Sequence, residues 1–188
     1  MDTAVDEEAI KAFVTSMRGP VLRPGDAGYD AARAIQNGLV DRHPTLIARC
    51  GGTADVIAAI NFAREHGLLV AVRGGGHNVA GNAVCEGGLM IDLSRLRGVH
   101  VDARARTVRV QGGATWGDVD RETQVFGLAT PGGVVSTTGI AGLTLHGGMG
   151  HLRSKYGLSL DNLLSVEIVT ADGQVRVASP TEDADIFW

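Results

Sequence analysis

Arg73-Gly74-Gly75-Gly76-His77-Asn78-Val79-Ala80-Gly81 directly follows the apolar run Leu68-Leu69-Val70-Ala71-Val72. The run reads as a buried strand. A strand that empties into three consecutive glycines gives up its side chains at its end. Glycine allows positive φ and lets another molecule approach the backbone closely. Successive free N–H groups in such a turn form an anion-binding nest, and a phosphate is the natural guest. His77 then stands within reach of whatever the phosphates carry. The same residues exclude two common nucleotide motifs. Val79 stands where Gly74-x-Gly76 would need its third glycine for the dinucleotide fingerprint. Gly76 and Gly81 have the gap of a phosphate loop, but Asn82-Ala83 occupy the Lys and Ser/Thr places. A plain flexible loop with a structural histidine is the competing reading.

Upstream of this loop, Leu46-Ile47-Ala48-Arg49 reads as a strand. Thr53 caps a helix with Val56, Ala59, Ile60 and Ala63 on one face, and Gly67 stops it. Residues 46–77 therefore read as a β-α-β unit with a right-handed crossover. Residues 1–45 read as an N-terminal arm, with a short helix over 8–17 and a turn at Arg23-Pro24-Gly25-Asp26. Downstream, Leu89–Leu93 is a strand. Val99–Val101 and Thr107–Gln111 are strands joined by a polar turn. Thr115-x-x-Asp118 opens a second helix, with Trp116, Val119, Thr123 and Phe126 inward and Gly127 at its close. Leu163–Thr170 reads as a long strand that turns at Ala171-Asp172-Gly173 and returns over Gln174–Ala178. Helices and hairpins without a strict parallel repeat give an α+β fold, not a doubly wound sheet.

A second glycine-rich stretch runs from Pro131-Gly132-Gly133 through Ser136-Thr137-Thr138-Gly139 to Gly147-Gly148-Met149-Gly150. Its N–H and O–H groups can serve a large polar ligand with little steric bulk. A glycine-rich connection packed under the sheet is the plainer alternative. Glycine makes up 27 of the 188 residues, about twice the usual ~7%, clustered beside patterned segments. Net charge is −4, which argues against a general attraction to nucleic acid or anionic membrane. Cys50 and Cys85 cannot make a disulfide framework or a four-cysteine metal site. The acidic start Met1–Glu8 lacks signal-peptide character, and no stretch approaches the ~20 apolar residues of a span. A reduced, cytoplasmic location is expected. His43 and His66 read as solvated, and His100 as facing outward. His146 and His151 lack the spacing and carboxylate of a metal pair, so no metal is expected.

These residues resemble a known family. Val72–His77, Ile91-Asp92-Leu93-Ser94, Gly112-Gly113-Ala114-Thr115-Trp116, Pro131–Gly150, Lys155–Leu163 and Val169–Gly173 occur in the order found in berberine-bridge-enzyme-like FAD-dependent oxidases. These oxidases belong to the vanillyl-alcohol-oxidase superfamily. The resemblance runs from about Pro24 to Trp188. It implies a PCMH-type FAD-binding domain of two α+β subdomains, 46–97 and 98–188, incomplete at the C-terminus. It also implies site roles. Arg73, Gly74, Gly75, Gly76, His77, Asn78 and Gly81 would cradle the pyrophosphate, and His77 would bond covalently to the flavin. Pro131, Thr137, Thr138, Gly139, Gly142, Gly147, Gly148 and Gly150 would line the flavin and its phosphate-ribityl chain. Val169 would meet the adenine side through its backbone.

The departures carry information too. Many members make a second flavin link from a cysteine where this chain has Val135, so a single link through His77 is expected. His146 replaces a frequent glycine and His151 a frequent aromatic residue. The family's substrate domain has no counterpart in this length, and no catalytic base can be named. The implied function is the FAD-binding part of an oxidase. Hydride would come from an alcohol, sugar or secondary metabolite, and dioxygen would take the electrons. The alternative is a truncated domain with weak or no FAD binding and no turnover. A non-flavin domain binding another phosphate ligand is a third reading. Partners are therefore a small-molecule substrate and dioxygen, with neither nucleic acid nor membrane, and the oligomer is left open.

Overall fold

Leu46-Ile47-Ala48 and Leu89-Met90-Ile91 are apolar without interruption, the pattern of strands covered on both faces. They lie in β2 (Leu46–Arg49) and β4 (Leu89–Asp92), paired in parallel at the centre of a sheet. β3 (Val70–Arg73) runs parallel to β4 on one edge, and β1 (Val21–Leu22) runs antiparallel to β2 on the other. The order is β1-β2-β4-β3. The computed structural model describes residues 5–188; residues 1–4, the first half of the acidic start, lie outside the described residues.

Alternation along the central strands feeds two cores. Leu46, Ala48, Leu89 and Ile91 pack against Ile10 and Phe13 of α1 (Glu7–Ser16) and against Ala59, Phe62 and Ala63 of α3 (Thr53–Glu65). The Phe13 and Phe62 rings stack with centroids 4.3 Å apart. Ile47 and Met90 face the other way, onto Val84 and onto Tyr29 and Ala32 of α2 (Tyr29–Arg33). The Tyr29 hydroxyl donates to the Pro44 carbonyl at 2.6 Å. Residues 5–45 thus supply a strand and two helices to the sheet. Cys50 is sealed in the first core, where burial pushes its thiol up to about 12. Burial also raises the Cys85 thiol, which lies 3.9 Å from the Leu69 carbonyl oxygen.

Two local expectations change, the Thr53 cap and the burial of the strand before the glycine-histidine loop. Thr53 is the first helical residue of α3, not its cap; Gly52 takes that place. The buried Asp55 supplies the acceptor there, taking N–H donors from Arg18 (2.9 Å), Gly19 (2.9 Å) and Gly51 (2.7 Å). Burial pushes its carboxyl up, but the three amides outweigh it and hold the group below its ordinary range. The two strands of the β-α-β unit are not neighbours, because β4 inserts between them. β3 is consequently an edge strand: Ala71 is buried while Val70 and Val72 are open to water. The reading of a buried strand fails because only one face of that edge is covered.

The second part is built differently. β5 (Val99–Asp102) and β6 (Thr107–Val110) form one hairpin, and β7 (Val166–Val169) and β8 (Val175–Ala178) form another. Neither extends the first sheet. Between them lie α4 (Trp116–Gln124) and the short helices α5 (Ile140–Leu145) and α6 (Arg153–Tyr156); α7 (Ala184–Phe187) follows β8. The Thr115–Asp118 capping box forms as read. The Arg97 guanidinium bonds to Asp118 and, against partial burial and with help from Thr115, holds its carboxyl down at about 2. Trp116, Val119 and Thr123 are buried, but Phe126 lies beyond the helix end and is half exposed. The expected long strand 163–170 shrinks to β7. Its first residues, Leu163 to Ser165, run unpaired out of a 3-10 turn, Leu160–Asn162.

Candidate cofactor site

Arg49, Asp92 and Arg73 are in register at the carboxyl ends of the three parallel strands. Ligands of parallel sheets bind beyond such a rim. Asp92 is fully buried and is already occupied by the Arg49 Nε–H (3.1 Å), the Ser94 N–H (2.9 Å) and the Ser94 hydroxyl (3.0 Å). Arg73 folds back beneath Gly76. Its Nη1 donates to the Ala32 carbonyl, and its Nε is buried without a partner. The guanidinium supports the glycine-histidine loop from behind.

The loop itself leaves its backbone donors unpaired. Among the described residues, no N–H from Gly74 through Ala80 donates a hydrogen bond within the protein. The carbonyls are treated in the opposite way. Gly76 O accepts from Gln36 N–H at 3.0 Å, Val79 O from Asn37 Nδ2 at 2.9 Å, and Gly81 O from Arg42 Nη1 at 2.9 Å. Asn78 closes the loop locally: its carbonyl accepts from Gly81 N–H, and its Oδ1 from Asn82 N–H at 3.0 Å. Gly81 has φ +80°, and a Cβ there would meet Val40 at 2.9 Å, so glycine is required on both counts.

The two glycine stretches interlock. A Cβ on Gly75 would overlap the N and Cα of Gly139, and one on Gly139 would sit 2.8 Å from Gly75 Cα. Gly139 is held there by an antiparallel bridge to Thr115, with Trp116 N–H donating to Thr138 O at 3.0 Å. His77 lies between two hydroxyls of this segment: Nε2 is 3.1 Å from Thr137 Oγ1, and Nδ1 is 3.4 Å from Thr138 Oγ1. The next residues form an adjoining backbone cluster. Gly132 and Gly133 lie on the buried Trp116 ring, and Gly150 packs on Gly132. The buried Ser159 hydroxyl donates to Pro131 O at 2.8 Å, and its N–H donates to Gly148 O at 2.9 Å. Gly147 turns beside Leu158 with φ +100°.

The structure therefore brings Gly74, Gly75, Gly76, His77, Thr137, Thr138 and Gly139 together, with Asn78 and Gly81 in the same loop. Pro131, Gly147, Gly148 and Gly150 stand in the cluster next to them. Gly142 lies in α5 with open space where its Cβ would be, and its carbonyl accepts from His146 Nδ1 at 2.7 Å. Val169 lies apart, paired with Val175 in a hairpin that packs on α3 through Gly173 and Asn61. Among the described residues, no group of three His, Cys, Asp or Glu side chains could hold a metal ion. Sequence reasoning missed Gln36, Asn37, Arg42 and Ser159. These are polar residues in stretches without periodicity, and their contacts span long sequence distances.

Consecutive free amides beside a floor without side chains fit an extended, phosphate-bearing cofactor. The comparisons with known proteins agree. Residues 44–179 match the family described as FAD binding domain. The chain is 40% identical to (R)-6-hydroxynicotine oxidase of Paenarthrobacter nicotinovorans over 173 residues, covering 92% of this chain and 38% of that protein. The crystal structure of 6-hydroxy-D-nicotine oxidase from Arthrobacter nicotinovorans superposes with a TM-score of 0.90 at 40% identity, over 92% of this chain and 38% of that one. Chitooligosaccharide oxidase superposes with a TM-score of 0.88 at 31% identity, over 96% and 39%. The chain spans well under half the length of these relatives.

Proposed function

The chain belongs to the FAD binding domain family of flavin oxidoreductases, and from that premise we propose that it holds the FAD pyrophosphate on the free amides of Gly74–Ala80 and anchors the flavin covalently through His77 alone. The observation that carries this reading is the interlock of Gly75 with Gly139, which sets those amides and His77 beside the hydroxyls of Thr137 and Thr138. FAD, when bound, supplies the two-electron chemistry, and the protein supplies position and electrostatics. The glycines keep side chains off the backbone that the cofactor approaches. Thr137 and Thr138 place one hydroxyl beside each nitrogen of the His77 ring, and the nitrogen that bonds to the flavin would give up its hydroxyl while the other keeps the ring oriented. Val135, half exposed in the same segment, carries no thiol for a second link.

For the longer proteins of this type, the reading extends to hydride removal from an alcohol, sugar or secondary metabolite, with dioxygen as acceptor. Two relatives, a hydroxynicotine oxidase and a chitooligosaccharide oxidase, support a small-molecule donor. The test is the visible spectrum of the purified protein, followed by acid precipitation. Yellow colour in the pellet, lost to the supernatant in His77→Ala, is the expected result. Flavin that stays in the His77→Ala pellet would remove His77 as the anchor. A colourless wild-type protein that takes up no added FAD would overturn the reading.

A further inference from the structure

Among the described residues, the hydrogen bonds that residues 36–42 give to the glycine-histidine loop all end on its carbonyls. Gln36 N–H, Asn37 Nδ2 and Arg42 Nη1 pin the carbonyls of Gly76, Val79 and Gly81. Arg42 Nη1 also reaches Val84 O at 3.0 Å, and Val40 fills the space against Gly81. Among the described residues the peptide bonds are all trans. In a trans peptide the N–H points opposite to the C=O of the same unit. Pinning Gly76 O therefore aims the His77 N–H away from residues 36–42, and pinning Val79 O does the same for Ala80. A loop with three glycines loses much conformational freedom when ordered. Ordering it in advance lowers the cost of binding.

We propose that Gln36, Asn37 and Arg42 form a brace, a set of positioning residues that pre-orders the loop so that its amides face the cofactor phosphates. The brace lies ahead of the matched family region, which begins at residue 44. The proposal rests on the phosphate-cradle reading above. Its physical content is separate, because it concerns order in the free protein.

The test uses Arg42→Met, which keeps the stem and removes the donors, and Asn37→Ala, a change at a partly exposed tip. FAD and ADP are titrated into chains that also carry His77→Ala, so that no flavin is held covalently and binding is reversible, with the His77→Ala chain alone as the parent, and amide hydrogen exchange is followed in the same samples. Both variants should raise the dissociation constants for FAD and ADP by about tenfold, the value of roughly one well-made hydrogen bond. Exchange should quicken over residues 74–80 and stay unchanged in β2 and β4. Arg42→Lys, which retains a donor, should recover part of the affinity. Parental affinity and parental exchange in both variants would overturn the brace. Exchange that quickens across the whole sheet would do the same, since it would make Arg42 a general structural residue. If the His77→Ala parent binds neither FAD nor ADP, the cradle reading fails, and the exchange pattern still decides the brace.

Discussion

Around β2 and β4, Leu46, Ile47, Leu89 and Met90 are wholly buried between helices on both faces. In the β7–β8 hairpin, Ile168, Val175 and Val177 each leave more than a third of their surface to water. Both regions are strands of similar composition. The first is ordered by side chains meeting side chains. The second meets α3 through Gly173, where a Cβ would overlap Asn61 Oδ1, and the glycine loops of the site are likewise ordered by close approach at Gly75–Gly139, Gly74–Gly112 and Gly132–Gly150. Substitutions should therefore act by opposite rules: removing atoms harms the first region, and adding atoms harms the second.

The comparison can be broken at its strongest point. Leu89→Ala should cost about 2–5 kcal/mol in urea unfolding, by transfer and cavity, while Val177→Ala should stay within roughly 0.5 kcal/mol. Equal costs would mean that the two regions are packed alike. Gly139→Ala should cost about 1–3 kcal/mol, because the new methyl must push Gly75 away, and FAD uptake should fall with it. A Gly139→Ala protein of wild-type stability and uptake would refute the interlock. Asp55→Ala should cost about 1–3 kcal/mol by leaving three amides without their acceptor.

Acid sharpens the contrast further. Asp118 titrates lower in the folded chain than in the unfolded one, where an aspartate stands near ~3.9. Its stabilising effect is complete above that value and is lost as pH falls toward about 2. Asp55 acts in the same sense. Arg97→Ala should flatten the fall in stability over that window, and an unchanged slope would dismiss the Arg97–Asp118 pair as its source. The smallest effect belongs to Gly142→Ala. With open space at its Cβ and a helical backbone, it should gain up to ~1 kcal/mol. A loss there would mean that a ligand or another surface occupies that space.

The strands and helices were legible where periodicity was strong: the α4 capping box, the two hairpin turns and the central strands all stand where the pattern put them. The edge position of β3 was not, because sheet order depends on where β4 inserts, which no local pattern records. The short β7 was not, since Leu163-Leu164 looks like a strand, yet β8 ends at Ala178, opposite Val166, and leaves those residues without a pairing partner. In the site, the two glycine stretches were visible from composition and order. Their mutual contact was not, and neither was the grip of Gln36, Asn37 and Arg42. A backbone carbonyl has no letter in the sequence, so contacts made to it leave no trace there.

The two buried thiols give the molecule a pair of internal clocks. A thiolate is the species that alkylating reagents consume, and Cys50, pushed up to about 12, forms almost none at neutral pH while folded. Its labelling rate then reports opening of the first core, against a denatured chain in which the same thiol reacts freely. Cys85 sits against Leu69, beside the open edge of β3, so it should time the fraying of that edge and run ahead of Cys50. Labelling of Cys50 in the native chain at the denatured rate would show that its core never closes, while equal but slow rates would mean that edge and centre open as one unit.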